Sequence, residues 1–254
     1  MNAGAVDHSR FEFLLRAGDN GLILGQRLVA LLGHAPVLEE ELGIANVALD
    51  LLGHARMWLS YAGEVEGAKR TEDDMAFFRN AGEFRNALLV EQPNGSFADT
   101  IVRQFLFDAW HVRALGAWSA SADERIAAIA QKAKPEADYH LTRSCDWVVR
   151  LGDGTDESHA RMQAALVGLW PYTSELFAAD GVDRDLAARG IVAPEDLREA
   201  WLHDAQAVFA RATLAIPDDA WAPTGGKRGL HTEHLSYLLA EMQSLRRSVP
   251  GERW

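Results

Sequence analysis

In FADTIVRQFLFDAWHVRALGAW, residues 97–118, the apolar side chains Phe97, Ile101, Phe105, Ala109, Val112 and Leu115 return every three or four positions. That period lines them up on one face of an α-helix. The same rhythm runs through VLEEELGIANVALDLLGHARMWLSYAGEV, residues 37–65. Period-two alternation bounded by hairpin turns is hard to find, so the chain has little from which to build a sheet. Long helices are expected at about 9–32, 37–66, 97–121, 123–151, 156–179, 194–212 and 232–248. GHAP (33–36), EQPNGSFAD (91–99) and GDGTDES (152–158) are turns by their Gly, Pro and Asn content, with Thr155 or Asp156 as an N-cap in the last. Residues 67–90 are less regular and richer in charge, as a short helix and a connecting loop would be.

The four long helices before residue 152 come as two pairs, separated by that longer excursion. This is the layout of a four-helix bundle with one long crossover, the ferritin-like arrangement. The expected fold is therefore all-α: a single ferritin-like helical domain with a core bundle at about 9–151 and additional C-terminal helices at about 156–254. Pro135 falls inside the fourth helix and is expected to kink or interrupt it.

Composition excludes several classes. No run approaches the roughly 18 apolar residues of a membrane helix, and MNAGAVDHSRFEF lacks the order of a secretion signal, so the expected address is the cytoplasm. The lone Cys145 allows no internal disulfide and no cysteine-rich metal site. A formal charge of -12 argues against nucleic acid as a partner, because neutralising phosphates requires a basic face.

Di-iron bundles project six ligands inward, one Glu from each of two helices and Glu-x-x-His from each of the other two. With His54 and His140 as the histidines, the positions three residues earlier hold Leu51 and Ala137, and the carboxylates lie four earlier, as Asp50 and Glu136. The first helix offers Asp19, Asn20 and Gln26, with no Glu between Glu12 and Glu39, and the third offers Asp108 with an extra His111. These read as degenerate di-iron-like positions, and no catalytic residue or metal ligand is assigned. Asp50, Asp108 and Glu136 are expected to pair with His54, His111 and His140, each imidazole donating to a carboxylate, or in part to lie at the surface. Because a spacing of four can also converge on a metal, an intact site stays open as the alternative.

TGGKRGLHTEHL, residues 224–235, is the most distinctive loop of the second half. Its glycines, Lys227, Arg228 and a helix start near Thr232 could take a phosphate or a partner's anionic group, although the spacing is not that of a P-loop and a tight structural loop with ordinary solvated charges is the favoured reading. His231 and His234 flank Glu233, but no second cluster completes a zinc site. Of eight tryptophans, Trp58, Trp110, Trp118 and Trp147 fall on helices of the core and core packing explains most of the eight, while Trp221 and Trp254 occupy loop and tail positions, and surface aromatics often belong to partner interfaces. No nucleophile elbow and no G-x-G-x-x-G after a strand is present, so hydrolase and dinucleotide-binding chemistry have no support.

Longer stretches carry a more specific signal. LRAGDNGLILGQRL (15–28), GHAPVLEEELGIANVALDLLGHAR (33–56), LLVEQPNGSFADTIVRQFLFDAWH (88–111), ADYHLTRSCDWVVRLGDGT (137–155), LWPYTSELF (169–177), TGGKRGLHTEHL and LAEMQ (239–243) together resemble the C-subunit family of the bacterial phenylacetyl-CoA epoxidases, the ring-1,2-phenylacetyl-CoA monooxygenases, from about residue 11 to Trp254. The resemblance implies a non-catalytic structural subunit of an O2- and NADPH-dependent complex of aerobic phenylacetate catabolism. It implies a ferritin-like fold without a working metal site, di-iron in a related catalytic A subunit, and NADPH acting through a reductase subunit. The partners it implies are the A subunit and the other epoxidase subunits, with indirect contact to phenylacetyl-CoA, no nucleic acid and no membrane. An independent di-iron carboxylate oxygenase or iron-binding ferritin-like protein, using Asp50, His54, Asp108, Glu136 and His140, is the competing reading.

Overall fold

The computed structural model describes residues 6–192, 197–218 and 221–249; Trp254 and the expected helix start at 194–196 lie outside the described residues. In chain order the helices are α1 (His8–Val29), α2 (Leu38–Glu66), α3 (Glu72–Phe77), α4 (Phe97–Trp118), α5 (Glu124–Gly152), α6 (Asp156–Leu169), α7 (Ser174–Phe177), α8 (Gly181–Ala188), α9 (Leu197–Arg211) and α10 (Glu233–Ser248), with short 3-10 turns at Ala81–Glu83, Trp170–Thr173 and Gly226–Arg228. No strand occurs among the described residues, and none of their helices is long and apolar enough to cross a membrane. The chain falls into two compact units, one formed by residues up to Gln92 together with those from Gly225 on, the other by Pro93–Thr224.

The first unit is built on α1 and α2. Asp7 caps α1 by accepting from the Arg10 amide at 3.2 Å, and α2 ends at Gly67 in the left-handed region, φ 72°. Three glycines inside α1 would weaken an isolated helix by about 1 kcal/mol each relative to alanine. Tertiary approach explains them. A Cβ on Gly18 would fall 2.8 Å from Leu59, on Gly21 2.9 Å from the Leu51 carbonyl oxygen, and on Gly25 3.2 Å from Leu52. Gly18 faces Leu59 while Gly25, farther along α1, faces Leu52 and the Ala48 carbonyl, so the two helices run antiparallel. We expect Gly21→Val to cost about 1–3 kcal/mol in urea denaturation, because the backbone of α2 cannot step aside as a flexible side chain would. Gly53→Ala, where an added Cβ meets nothing within 4 Å, should instead stabilise by about 0.5–1 kcal/mol. α3 carries the capping box of Thr71 and Asp74, and Gln243 of α10 donates to the carbonyl oxygens of Ala76 and Arg79 at 2.9 and 3.0 Å.

In the second unit α4 and α5 form the other antiparallel pair. Gln131 donates to the Ser119 carbonyl at 3.2 Å and Ser144 to Asp108 at 2.8 Å, and Phe97 meets Trp147 edge-on at 5.2 Å. Ser96 and Asp99 cap α4, and Thr155 caps α6. α9 lies on this pair, with the Trp201 indole donating to the Leu106 carbonyl at 3.2 Å and Phe105 edge-on to Phe209 at 5.2 Å.

Two sequence expectations are corrected. Pro135 does not interrupt α5, which is continuous from Glu124 to Gly152. Its ring lies on an exposed face beside exposed Gln131, so the carbonyl deprived of a donor is open to water. The helix expected at 156–179 breaks after Leu169 into a 3-10 turn at Trp170–Thr173 followed by α7. Pro171 supplies no N–H for a continuing helix, and the turn seats Trp170 against Trp201, ring centroids 5.3 Å apart and 29° between planes. α8 has no counterpart among the expected helices. Only Leu186 of its eight residues is buried, too little for a periodic signal.

Candidate functional site

Asp50 and His54 sit on α2, Asp50 half-buried and His54 buried. In the second unit α4 holds Asp108 and His111, both buried, while α5 holds buried His140 and exposed Glu136. The oxygens of Asp108 accept from Gln104 Nε2 at 2.7 Å and Ser144 Oγ at 2.8 Å. The expected histidine partner of Asp108 is thus replaced by an amide and a hydroxyl, and Glu136 is a surface carboxylate. One helical turn separates Gln104 from Asp108, a neighbour the metal template gives no reason to consider. Among the described residues no group of three or more His, Cys, Asp or Glu side chains is placed to hold a metal ion. A di-iron centre of the bundle type needs six converging ligands; within the second unit the Asp108 carboxylate faces Gln104 and Ser144.

Burial pushes the Asp108 carboxyl up to about 7, against the smaller opposing effects of the Ser144 and Gln104 hydrogen bonds and the Arg143 charge. A folded pKa above the unfolded value means stability is fully present below about pH 4 and is lost as pH rises towards 7. Asp108→Asn should flatten that slope in urea melts between pH 4 and 8. An unchanged slope would show that Asp108 does not titrate there. Beside it, burial foremost, followed by the Asp108 and Asp146 charges, raises the Cys145 thiol to about 11, leaving it unreactive at neutral pH.

The richest polar construction lies in the first unit. Asp19, at mid-length of α1, is wholly buried and takes a two-pronged ion pair from buried Arg79, together with the Arg85 amide at 2.8 Å. Arg79 also donates to the carbonyl oxygens of Met75 and Glu83, at 2.6 and 3.1 Å, and its guanidinium lies 4.2 Å from the centre of the Phe84 ring. Next along α1, Asn20 accepts from the Ala87 amide at 2.8 Å. The inward polar positions of α1 therefore hold the excursion at 79–87 in place.

That excursion ends at Glu91, whose side chain is completely buried. Its Oε1 accepts from the amide and the hydroxyl of Thr232 at 2.7 and 2.8 Å, and its Oε2 lies 2.8 Å from Asn86 Nδ2 and 2.7 Å from His231 Nδ1. The other ring nitrogen of His231 lies 3.0 Å from the Phe84 carbonyl oxygen. Arg27 of α1 joins the same strands of chain, donating to the Glu91 carbonyl at 3.0 and 2.6 Å and to the His234 carbonyl at 2.9 Å.

This arrangement changes how the 224–235 loop is understood. The start of α10 does attract an anion, as a helix N-terminus should, but the anion is Glu91 of the same chain. Thr232 stands at the N-cap position without a side-chain capping bond, because its hydroxyl is turned to Glu91. Lys227 is half-buried and Arg228 exposed, on the 3-10 turn between Gly225 and Gly229. His231 is held by Glu91 and Phe84 rather than sharing a metal with His234. Sequence reasoning missed Glu91 and Arg79, and weighed His231 only for zinc, because the partners Asp19 and Glu91 lie 60 and 140 residues away.

Of the tryptophans, Trp58, Trp110, Trp118, Trp170 and Trp201 are buried, Trp147 is half-buried, and Trp221 is 62% exposed with an edge contact to Tyr172 at 5.9 Å. An open groove of about 380 Å³ in the second unit is floored by Ala109, Val112, Gly116 and Leu141. Of its charged residues, Arg113 and Asp204 pair with each other at 2.9 Å and Lys134 pairs with Asp138 at 2.9 Å.

Comparison with known proteins agrees with this architecture. A family described as phenylacetic acid catabolic protein matches residues 2–254. The chain is 52% identical over 243 residues to the C subunit of the 1,2-phenylacetyl-CoA epoxidase of Escherichia coli (strain K12), an alignment covering 95% of this chain and 98% of that protein. The chain belongs to the phenylacetic acid catabolic protein family, a ferritin-like helical family.

Proposed function

We propose that this chain is a non-catalytic subunit of a multicomponent phenylacetyl-CoA 1,2-epoxidase in aerobic phenylacetate catabolism, pairing with and stabilising a di-iron catalytic A subunit. In the reaction one atom of O2 enters the aromatic ring as the epoxide and the other leaves as water, with two electrons supplied by NADPH through a separate reductase subunit. The similarity to the C subunit of an epoxidase, along nearly the whole of both chains, supports this reading.

The observation that carries the non-catalytic part is the use of the buried carboxylates. Asp19 is taken by Arg79, Glu91 by Thr232, Asn86 and His231, and Asp108 by Gln104 and Ser144. Buried acids paired with protein donors need no metal to satisfy them and can serve the fold alone.

Two measurements test it. Elemental analysis of the purified chain after loading with ferrous iron and desalting should find well under one iron per chain; about two per chain would make it a di-iron oxygenase in its own right. Co-expression with the A subunit should give a co-eluting complex, with phenylacetyl-CoA turnover needing both chains. Separate elution with full turnover from the A subunit and reductase alone would end the structural-partner reading.

A further inference from the structure

The hydrogen bonds of His231 demand more protons than a neutral imidazole has. Nδ1 faces a carboxylate oxygen of Glu91 at 2.7 Å and Nε2 faces the carbonyl oxygen of Phe84 at 3.0 Å. A carbonyl oxygen only accepts, and a neutral imidazole donates from one nitrogen alone. Glu91 is also approached by three further donors, the Thr232 amide, the Thr232 hydroxyl and the Asn86 amide. Four donors converging on one carboxylate favour its ionised form and place the shared proton on the ring.

We propose that His231 is a pH-operated latch: as an imidazolium it fastens the 225–232 loop and the start of α10 to the 84–92 turn, and on losing one proton it releases one of the two anchors. The two anchor points, Phe84 and Glu91, are seven residues apart, so a neutral ring can hold one end of the turn but not both.

The charged groups around the ring set the direction. Glu91 and, farther off, Asp19 of α1 favour the cation. Arg85 shares the Phe84 carbonyl at 3.0 Å but is itself paired with Glu12 of α1 at 2.7 Å. Arg79 is committed to Asp19, and Arg27 to the Glu91 and His234 carbonyls. On the ring's own segment Lys227, Arg228, Glu233 and His234 complete the set, with Arg228 and Glu233 exposed. Burial pulls the imidazole pKa down, yet the Glu91 hydrogen bond and charge, the Phe84 carbonyl and Asp19 outweigh it, and the net shift is upward. A raised folded pKa makes the latch fully stabilising below the ordinary histidine value of about 6.5 and progressively lost as pH rises through the folded one.

The test uses the full chain labelled with 15N. Ring correlation spectra from pH 6 to 9.5 report the protonation of each His231 nitrogen, with the ring assigned by its proximity to Thr232 and Phe84. Hydrogen exchange of the Thr232 amide, corrected for its intrinsic rate, reports the docking. Both nitrogens should be protonated at pH 6.5. Thr232 protection should fall about tenfold per pH unit between 6.5 and the ring's own titration, then level off. His231→Gln should remove that dependence. A singly protonated ring at pH 6.5, or protection in the unmodified chain that is flat with pH, overturns the proposal. Should the variant fail to fold, the ring spectra and exchange of the unmodified chain still decide.

Discussion

Replacing Asp19 with Ala is expected to lower the unfolding free energy by about 3–5 kcal/mol, the range for removing one partner of a buried ion pair. Arg79 has 2% of its side-chain surface exposed and Asp19 none, so water cannot take over the contacts of the surviving guanidinium. The loss extends beyond the pair, because Asp19 also accepts the Arg85 amide at 2.8 Å and thereby holds the start of the 85–92 turn. Arg79→Met should cost a similar amount. The double variant Asp19→Leu/Arg79→Met should recover much of either loss, since neither charge is then left buried alone. Urea denaturation followed by far-UV circular dichroism measures all three. A loss below about 1 kcal/mol in both single variants would place this pair among ordinary surface bridges and contradict its burial.

Glu91→Ala should be as severe, at about 3–5 kcal/mol, for a different distribution of reasons. It strands the Thr232 amide and hydroxyl, the Asn86 amide and the His231 ring at once. A buried donor left unsatisfied costs about 1–3 kcal/mol, and local yielding of the 225–232 loop limits the sum. Damage should therefore concentrate at that loop. Limited proteolysis should cut near 224–232 well before the helices of the first unit unfold. Glu91→Gln keeps the shape and one acceptor oxygen and should cost less, about 1–2 kcal/mol. Uniform destabilisation with no preferential cleavage would mean that Glu91 supports the fold generally rather than pinning the loop.

The helices were readable because their information is local. Apolar residues at spacings of three and four, Thr155 ahead of α6 and the turn at 33–36 are patterns within one window of chain. α5 begins and ends within a residue of its expected span despite Pro135, because the face that proline interrupts is solvated. The break after Leu169 was also local in origin, with Pro171 in plain view. What hid it was the continuing apolar rhythm of LWPYTSELF, which serves the seat of Trp170 on Trp201 rather than a longer helix.

The site was legible only in outline. Asp19 and Asn20 stood out as polar residues inside an apolar helix, and the 224–235 loop stood out by its glycines and charges. Their meaning depended on partners. An Asp inside a helix fits a metal ligand, a core ion pair or a surface position equally well until Arg79 is found 60 residues on. The loop looked like a place for a foreign anion because the carboxylate that fills it, Glu91, sits in a stretch that reads as a plain turn. Asp108 was sought beside a histidine and found beside Gln104 and Ser144, since choosing among donors of similar reach is a matter of ångströms.

By itself the sequence determined an all-helical fold class, the bounds of its long helices up to Leu169, and, through long shared stretches, its family, because hydrophobic period, capping and turn chemistry act over a few residues. Only the tertiary structure decided which buried charge meets which. Pairing energies fall steeply with distance and burial, and the separations that matter, Asp19 to Arg79 and Glu91 to His231, are created when segments 60 and 140 residues apart along the chain are folded together.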